Sequence, residues 1–281
     1  MTGPDTGSVN IDEVLGDLRW TVLTGAGVST DSGIPDYRGP NAVPRTPMTG
    51  QQFRSGLLAR QRYWARAYLG WTAMGTARPN ATHRLLAELE TAGRVDAVIT
   101  QNVDGLHTAA GQRRVVDLHG RVDRVICLGC RTTSGRAVLQ DRLRDLNPDF
   151  DATDLQVLPD GDVAFESTAD FVLADCVDCG GELKPDVVFF GENVPEERVL
   201  ECKQLVDEAE ALVVLGSSLH VFSGRRFVKQ AHQRGIPIVI VNRGITRSDD
   251  LATLKLDAGC AETLRDYVRI TQPAPEDLAS A

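Results

Sequence analysis

The sequence predicts an α/β fold, a Rossmann-like doubly wound parallel sheet with a small zinc-binding module, because short apolar segments alternate with helical patterns and two Cys-x-x-Cys pairs interrupt the alternation. The apolar segments have the length of strands. Their continuous apolar character is typical of strands that are covered on both faces of a parallel sheet. Five such strands are expected, at 20–24, 95–100, 115–118, 211–215 and 236–241.

Helical patterns fill the intervals between the strands, and this alternation indicates a doubly wound sheet. The helices are expected at 51–74, 83–92, 196–210 and 225–234. Because ligands of open α/β sheets bind outside the carboxyl ends of the strands, small or polar residues at those ends indicate a binding crevice. All five predicted strands end in this way, at 25–29, 101–107, 119–120, 216–218 and Asn242.

The composition is that of a globular protein, and it argues against two classes of function. The chain has 281 residues and a formal net charge of −9, so binding to nucleic acid through a general basic surface is not expected. No apolar run approaches the ~20 residues that span a bilayer. The first 18 residues carry no Lys or Arg, unlike a secretory signal or a transit peptide. We therefore expect a cytoplasmic protein that contacts neither nucleic acid nor membrane directly.

Four of the six cysteines form two Cys-x-x-Cys pairs, Cys127 with Cys130 and Cys176 with Cys179. Without an export signal, such pairs indicate metal ligands or a redox couple rather than structural disulfides. Four thiolates could complete a tetrahedral Zn²⁺ shell with no open position, so the metal would be structural. A redox dithiol is the alternative, and the presence of two matching pairs argues against it. Cys202 is expected to be a core residue of a helix.

The cysteine pairs delimit a second region inside the larger domain. We expect a discontinuous Rossmann-like domain at 1–120 and 185–270, a zinc-binding module at 121–184, and a flexible tail at 271–281. The stretch 141–175 has ten acidic and two basic residues, and it is interpreted as a solvated acidic insertion in the module.

The first predicted strand runs into Gly25-Ala26-Gly27, a turn that permits close approach of the backbone to a pyrophosphate near the next helix N-terminus. Position 30 is Thr, where a dinucleotide-binding fingerprint has its third glycine, and no clear acidic residue closes a second strand. A nicotinamide-dependent dehydrogenase is therefore a poor match. Taken alone, the motif also fits an ordinary strand-to-helix turn.

The motifs around this turn are longer and more specific. The run 25–39 reads Gly-Ala-Gly-Val-Ser-Thr-Asp-Ser-Gly-Ile-Pro-Asp-Tyr-Arg-Gly, and 100–107 reads Thr-Gln-Asn-Val-Asp-Gly-Leu-His. Further motifs in chain order are His119-Gly120, the two cysteine pairs, Gly-Ser-Ser-Leu at 216–219 and Val241-Asn242. In these motifs the sequence resembles the sirtuins, the NAD-dependent protein lysine deacylases, and the resemblance extends over 11–268.

Two details resemble the class II branch of that family, which is associated with weak deacetylation. They are Ser223, where many sirtuins carry Pro, and Thr-Arg-Ser-Asp-Asp-Leu at 246–251. We therefore expect that acetyl is not the best acyl group. Tyr63 and Arg66 would share a helix face, and Arg66 would pair with an acidic acyl chain if that face lines the acyl channel. The alternative is an ordinary amphipathic helix whose Arg faces water.

The resemblance implies that NAD is a consumed co-substrate. The bond between nicotinamide and ribose breaks, and the products are nicotinamide, O-acyl-ADP-ribose and free lysine. His119 would be the catalytic base that activates a ribose hydroxyl, and an imidazole with an ordinary pKa of ~6.5 is largely able to accept a proton at neutral pH. Asn102 and Asp104 would line the nicotinamide pocket, with Gln101 on the ribose side. His107 is the rival base.

The resemblance also implies two sets of binding residues. Tyr37 stands where the family usually has Phe, on a flexible cofactor loop, and it keeps a ring that shields the reactive carbon. Residues expected to bind NAD are Gly25, Ala26, Gly27, Ser29, Thr30, Ile34, Pro35, Asp36, Tyr37, Arg38, Gln101, Asn102, Val103, Asp104, Gly216, Ser217, Ser218, Asn242, Arg243, Gly244 and Cys260. Residues expected to form an extended edge that pairs with the substrate backbone are Val187, Phe189, Phe190, Gly191 and Glu192. His83, His220 and His232 are expected to be ordinary residues.

Two other functions stay open at this point. Mono-ADP-ribosyl transfer is the nearest alternative, since the same bond breaks and only the acceptor differs. A catalytically silent NAD sensor that binds partners through its zinc module is the other, and the intact His119, Asn102 and Asp104 argue against it. The expected partner is an acyl-lysine protein or peptide, whereas the target proteins and the oligomeric state are left open.

Overall fold

The computed structural model describes residues 10–38, 47–151, 163, 165 and 167–271. Three features of the sequence fall wholly or partly outside these residues: the end of the first glycine-rich run at position 39, part of the acidic segment at 141–175, and the predicted tail at 271–281. Within the part of the chain that the structure describes, no helix is both long enough and apolar enough to cross a membrane.

The strands form two sheets, and the larger one confirms the predicted α/β fold. In chain order the strands are β1 (Trp20–Thr24), β2 (Val95–Thr100), β3 (Val115–Asp117), β4 (Gly120–Cys127), β5 (Thr133–Gly135), β6 (Leu183–Val187), β7 (Ala211–Leu215), β8 (Ile238–Val241) and β9 (Leu254–Leu256). The larger sheet has the order β3-β2-β1-β7-β8-β9, and all of its neighbouring strands are parallel. The chain starts in the middle of this sheet, moves out to β3 and then crosses to β7, which is the doubly wound arrangement.

The sequence predicts five of the six strands in the larger sheet. The predicted bounds of β1, β2 and β7 are confirmed, whereas β3 ends one residue earlier than predicted and β8 begins two residues later. β9 is missing from the prediction because it has three residues, includes Lys255 and lies at the sheet edge with all of its residues half-buried. It therefore lacks the continuous apolar run of a central strand.

Helices cover both faces of the larger sheet, and further helices pack against the second sheet. In chain order they are α1 (Ile11–Leu15), α2 (Gly50–Phe53), α3 (Leu57–Thr76), α4 (Ala81–Thr91), α5 (Leu106–Ala109), α6 (Arg136–Leu146), α7 (Glu196–Glu208), α8 (Phe222–Arg234) and α9 (Cys260–Thr271). The prediction of a single helix at 51–74 is wrong. The helical conformation is interrupted between α2 and α3 at Gly56, whose φ of 154° favours glycine. α8 begins three residues before its predicted start, so its first turn was not part of the predicted helix.

Burial on both faces explains why the central strands have no polar alternation. All five residues of β1 are buried, and successive side chains point to opposite faces. Trp20 and Val22 pack in the core formed with α1, α4 and α9. Leu23 packs in the core formed with α7 and α8 on the other face. Each face of the larger sheet thus has its own hydrophobic core. The loops that follow the strands lie at the carboxyl edge of the sheet.

The second sheet is antiparallel and has the order β5-β4-β6. Trp64 of α3 and Val125 of β4 belong to its hydrophobic core, and Trp64 Nε1 donates to the Leu183 carbonyl at 3.1 Å. α3 therefore packs on this sheet, although it lies within the predicted segment 1–120. β6 extends across the predicted boundary at 184/185. The domain boundaries stay a prediction.

Candidate active site and metal centre

A cavity of about 1240 Å³ opens at the carboxyl edge of the larger sheet. The residues that follow β1, β2, β3, β7 and β8 all contribute to its lining, so the five predicted strand endings converge there. Residues after β6 of the second sheet also line it. The sequence-predicted residues on the cavity wall are Gly25, Ala26, Gly27, Ser29, Ile34, Asp36, Tyr37, Arg38, Gln101, Asn102, Val103, Asp104, His119, Val187, Phe189, Phe190, Gly191, Glu192, Gly216, Ser217, Ser218, Asn242, Arg243 and Gly244.

Three residues predicted to bind NAD do not lie on the cavity wall. Thr30 is exposed and its hydroxyl donates to the Gly27 carbonyl at 3.1 Å, while Pro35 is half-buried. Cys260 is buried at the start of α9, and burial raises the pKa of its thiol to about 12. Cys202 is buried in α7, as expected, and burial raises its pKa to about 12 as well. Both thiols are therefore protonated and unreactive at neutral pH.

Glycines bring the loops after β1 and β7 into direct backbone contact. A Cβ on Gly27 would lie 2.9 Å from the Cα of Gly216, and a Cβ on Gly216 would lie 2.6 Å from the Val28 nitrogen. The Gly27 N–H donates to the Gly216 carbonyl at 2.9 Å. Gly216 also has a φ of 57°, in the left-handed region. The glycine-rich motif is therefore required by packing between two loops, in addition to any approach of a phosphate.

Gly216→Ala should lower the free energy of unfolding by roughly 2–5 kcal/mol, because left-handed backbone strain adds to a backbone clash. Gly235→Ala is the matched control, since Gly235 has a φ of 70° but nothing within 4 Å of its added Cβ. It should cost only about 1–2 kcal/mol. Urea unfolding of both variants measures the difference, and equal losses would contradict the role of close loop packing.

A chain of hydrogen bonds on the cavity wall joins the loops after β1 and β2. Asn102 Nδ2 donates to Ser29 Oγ at 3.0 Å, and Ser29 Oγ donates to Asp104 Oδ2 at 2.7 Å. Asn102 Nδ2 also reaches the Gly25 carbonyl at 3.1 Å, and Asp104 Oδ1 accepts from the Leu106 N–H at 2.9 Å. Ser29 thus holds in place the Asn102 amide and the Asp104 carboxylate, which are predicted to line the same pocket.

His119 follows β3, and both of its ring nitrogens have hydrogen-bond partners. Nδ1 lies 2.8 Å from the Gln101 carbonyl oxygen, and Nε2 lies 2.7 Å from Ser223 Oγ. Because a carbonyl oxygen only accepts, Nδ1 carries the proton and Nε2 is the acceptor of the neutral ring. Burial lowers the pKa of His119, and the hydrogen bond to Gln101 offsets only part of this effect. The imidazole is therefore neutral at pH 7.

His107 does not line the cavity, which removes the basis for it as the rival base. It is buried, its Nε2 lies 3.0 Å from Thr24 Oγ1, and its ring centroid lies 4.7 Å from that of His83. Burial lowers the pKa of His107 well below its ordinary value and that of His83 to about 4. The two rings are neutral packing residues behind the loop. His220, in contrast, lines the cavity, although the sequence assigns it no function.

The predicted substrate edge is extended only in part. Val187 is the last residue of β6, and the Val188 N–H donates to the His119 carbonyl at 2.8 Å. Phe190 forms an isolated bridge with the segment before α2, and Gly191 then turns with a φ of 79°. The segment is thus the end of a strand followed by a turn, and it is joined to the backbone of the candidate base.

Side chains of this segment hold it in place. Glu192 accepts a hydrogen bond from the Phe189 N–H at 3.0 Å and pairs with the buried Lys184, whose Nζ lies 3.2 Å from Glu192 Oε2. The Lys184 ammonium also lies 4.5 Å from the centroid of the Phe189 ring. The rings of Tyr37 and Phe190 are 6.1 Å apart in an edge-to-face arrangement. The loop predicted to hold the cofactor therefore contacts the segment predicted to hold the substrate.

The structure does not support Arg66 as a partner for an acidic acyl chain. Tyr63 lines the cavity and packs edge-to-face on Phe189, with centroids 5.2 Å apart. Arg66 is buried away from the cavity wall, and its Nε donates to the Val163 carbonyl at 2.6 Å. The face shared by Tyr63 and Arg66 thus meets the cavity only at Tyr63, and the Arg66 guanidinium contacts the Val163 carbonyl instead.

Several residues of the cavity wall are not among the predicted site residues. Ser223 and Arg226 lie in the first turns of α8, ahead of or just inside its predicted start. The Arg226 guanidinium carbon lies 5.0 Å from the centroid of the Phe222 ring. Predicting an earlier start for α8 would have placed both residues beside the loop after β7. The run Val221-Phe222-Ser223-Gly224 has no capping signature that indicates this earlier start.

Four cysteines converge at one end of the second sheet, as predicted. Their sulfur atoms all lie within 4.8 Å of one another; the Sγ atoms are 3.5 Å apart for Cys127 and Cys179, and 3.7 Å apart for Cys130 and Cys176. The edge of a tetrahedron with Zn–S bonds of ~2.3 Å is about 3.8 Å. A Cβ on Gly181 would lie 3.0 Å from Cys127 Sγ, so this glycine leaves room for the cluster. The four thiols are positioned to bind one Zn²⁺.

The chain is similar to known proteins over most of its length. It matches the Sir2 family over residues 25–223. It is 54% identical over 280 residues to NAD-dependent protein deacetylase 1 of Mycobacterium avium, which covers 98% of this chain and 99% of that protein. It is 54% identical over 239 residues to NAD-dependent protein deacetylase 1 of Streptomyces coelicolor, which covers 84% and 80% of the two chains.

Solved structures show the same similarity. A complex of Sir2 with p53 peptide and NAD+ shares 33% sequence identity and superposes with a TM-score of 0.76, covering 93% of this chain and 97% of that one. A structure of Sir2 bound to acetylated peptide shares 31% identity with a TM-score of 0.70 and the same coverage. The first of these structures contains p53 peptide and NAD+, and the second contains acetylated peptide.

Proposed function

Because the chain belongs to the Sir2 family, we propose that it is an NAD-dependent protein lysine deacylase. The reaction consumes NAD, an acyl-lysine residue and one water molecule, and it yields nicotinamide, O-acyl-ADP-ribose and free lysine. The observation that carries the proposal is a single cavity whose wall includes His119, neutral and with Nε2 as acceptor, together with Asn102 and Asp104. The names of the curated relatives support the same activity.

The residues of the larger sheet bind NAD in this proposal. The loops after β1 and β7 hold the phosphates and a ribose, and Asn242 after β8 holds the adenosine ribose. Asn102 and Asp104 hold the nicotinamide carboxamide, and Ser29 keeps both side chains in one orientation before NAD arrives. Preorganised polar groups of this kind stabilise a transition state without reorganising during the reaction. Tyr37 covers the reactive end of the site.

His119 accepts the proton of a ribose hydroxyl at Nε2. Nδ1 keeps its own proton because its N–H donates a hydrogen bond to the Gln101 carbonyl. The two nitrogens therefore cannot exchange functions. The departure of nicotinamide precedes this proton transfer, and His119 is therefore not required for the first bond cleavage. The lowered pKa of His119 keeps the base unprotonated at neutral pH.

The acyl-lysine peptide lies against the segment that follows β6. Phe189 and Tyr63 form an apolar wall for the lysine side chain and its acyl group, and Lys184 and Glu192 hold that wall in place. Pairing of the substrate backbone with this segment makes the extended form of the peptide more important than its sequence. The class II assignment and the preferred acyl group stay predictions.

One Zn²⁺ held by the four thiolates is structural in this proposal. When bound, it contributes no open coordination position, and its effect is to hold β4 and the loop before β6 together. Thiolate sites require reduced cysteines, which supports a cytoplasmic location for the protein.

Incubation with NAD and an acyl-lysine peptide should release one nicotinamide for each peptide that loses its acyl group, and mass spectrometry should detect acylated ADP-ribose. The reaction without NAD is the control and should leave the peptide unchanged. A peptide that gains the mass of ADP-ribose would support mono-ADP-ribosyl transfer instead. Growth of the absorbance of reduced NAD with a hydroxy substrate would contradict the proposal.

A further inference from the structure

Ser223 makes a hydrogen bond with the candidate base His119, and the tautomer of His119 fixes the direction of this bond. Its Oγ lies 2.7 Å from His119 Nε2, and both residues line the cavity. Because the Nδ1–H group donates a hydrogen bond to the Gln101 carbonyl at 2.8 Å, Nε2 presents only a lone pair. The Ser223 hydroxyl hydrogen must therefore point at Nε2.

Packing of α8 against Gln101 sets the position of this hydroxyl. A Cβ on Gly224, the residue after Ser223, would lie 2.5 Å from Gln101 Oε1, so the helix start is in close contact with that side chain. Gln101 Nε2 in turn donates to Ser217 Oγ at 2.8 Å and to the Thr24 carbonyl at 3.1 Å. One residue, Gln101, thus holds His119 through its carbonyl and the start of α8 through its side chain.

We propose that Ser223 is a positioning residue for the base: its hydroxyl orients the imidazole of His119 through the hydrogen bond at Nε2 until a ribose hydroxyl takes its place. The proposal rests on the proposed function, in which Nε2 receives the ribose proton. A serine hydroxyl donates to Nε2 of the neutral ring and would accept from Nε2–H of the imidazolium, so the contact fixes the orientation of the ring and does not select its charge state.

Other groups keep the ring of His119 neutral. Burial disfavours the charged imidazolium, and so does Arg198 of α7, whose Nη1 donates to the Leu118 carbonyl at 3.3 Å. Nε2 has a single lone pair, so Ser223 and the ribose hydroxyl cannot both donate to it. Ser223 therefore holds the ring until the ribose hydroxyl reaches Nε2 and leaves it at that point.

Three variants separate the effect of the Ser223 hydroxyl from an effect on folding. Ser223→Ala removes the hydroxyl, Ser223→Thr keeps it, and Lys229→Ala changes an exposed residue of the same helix. Two rates are measured at neutral pH: deacylation at saturating NAD and acyl-peptide, and exchange of labelled nicotinamide into NAD, which precedes the proton transfer. Thermal unfolding of each variant confirms that it is folded.

In Ser223→Ala the deacylation rate should fall about 3- to 10-fold, the effect of losing one hydrogen bond to the base. Nicotinamide exchange should stay within about twofold of the wild type, since it does not need the base. Ser223→Thr keeps the hydroxyl and should keep the wild-type deacylation rate, and Lys229→Ala should keep both rates.

An unchanged deacylation rate in Ser223→Ala would overturn the proposal. So would a loss in Ser223→Thr as large as in Ser223→Ala, since the hydroxyl would then not be the cause. Equal losses of exchange and deacylation in Ser223→Ala would show a purely structural function and overturn it as well. Wild-type protein that fails to exchange nicotinamide would instead refute the proposed function, so the two failures are distinguishable.

Discussion

His119→Ala should lower the deacylation rate by roughly 10²–10⁴-fold, the usual contribution of a positioned acid–base group. The loss is expected to be large because the substitution removes the acceptor Nε2, and His107 is buried outside the cavity and cannot replace it. Nicotinamide exchange should be retained, since other residues bind NAD and the base acts after nicotinamide departs. Mass spectrometry of an acyl-peptide at neutral pH measures the first rate, and labelled nicotinamide measures the second.

His232→Ala is the matched control, because His232 is exposed on α8 and outside the cavity. It should have wild-type rates. The pH profile adds a second readout: since burial lowers the pKa of His119, the wild-type rate should persist as pH falls below the ordinary imidazole value and decline only near the lowered pKa. A His119→Ala enzyme with nearly full deacylation would contradict the assignment, and His220 would be the next imidazole to test because it lines the cavity.

Cys176→Ser should remove most of the bound zinc and lower the free energy of unfolding by roughly 3–5 kcal/mol. A serine hydroxyl does not ionise at neutral pH, so the site loses one of its four thiolate ligands. The second sheet loses stability with the metal, because the cluster joins the end of β4 to the segment before β6. Metal analysis gives the zinc content per chain, and thermal unfolding with and without a chelator gives the stability.

Cys202→Ala is the control for the metal site. Cys202 is buried in α7 and lies outside the cysteine cluster, so the variant should keep one zinc per chain even if it loses some packing energy. The wild-type protein, purified under reducing conditions, should contain one equivalent of zinc. Well-folded wild-type protein without zinc would contradict the structural metal site.

Much of the fold was predictable because its signals are local. The central strands β1, β2 and β7 are short apolar runs bounded by glycine or polar residues, and burial on both faces of a parallel sheet produces that pattern directly. The two cysteine pairs are local as well, since a Cys-x-x-Cys turn brings two sulfur atoms together within each pair. The crevice followed from topology, because the carboxyl ends of parallel strands meet at one edge.

The errors arise where local pattern is weak or tertiary packing decides. β9 is a half-buried edge strand, and the break at Gly56 interrupts a run that otherwise reads as one helix. Arg66 has the spacing of a partner for Tyr63, but the contact with Val163 directs it away from the cavity. Helical spacing places two side chains on one face of a helix, and only the packing of that helix decides which cavity or core each one meets.

The sequence by itself determined the α/β class, the strand endings that meet in one cavity, the candidate base His119 and the four-thiol cluster. Only the tertiary structure decided the hydrogen bonds that make these residues a site. Ser29 and Asp104 are 75 positions apart, and His119 and Ser223 are 104 positions apart. No periodicity connects residues at such separations. Their contacts exist because the loops after β1, β2 and β3 and the start of α8 meet at one cavity, and that packing sets the tautomer and the neutral state of the His119 imidazole.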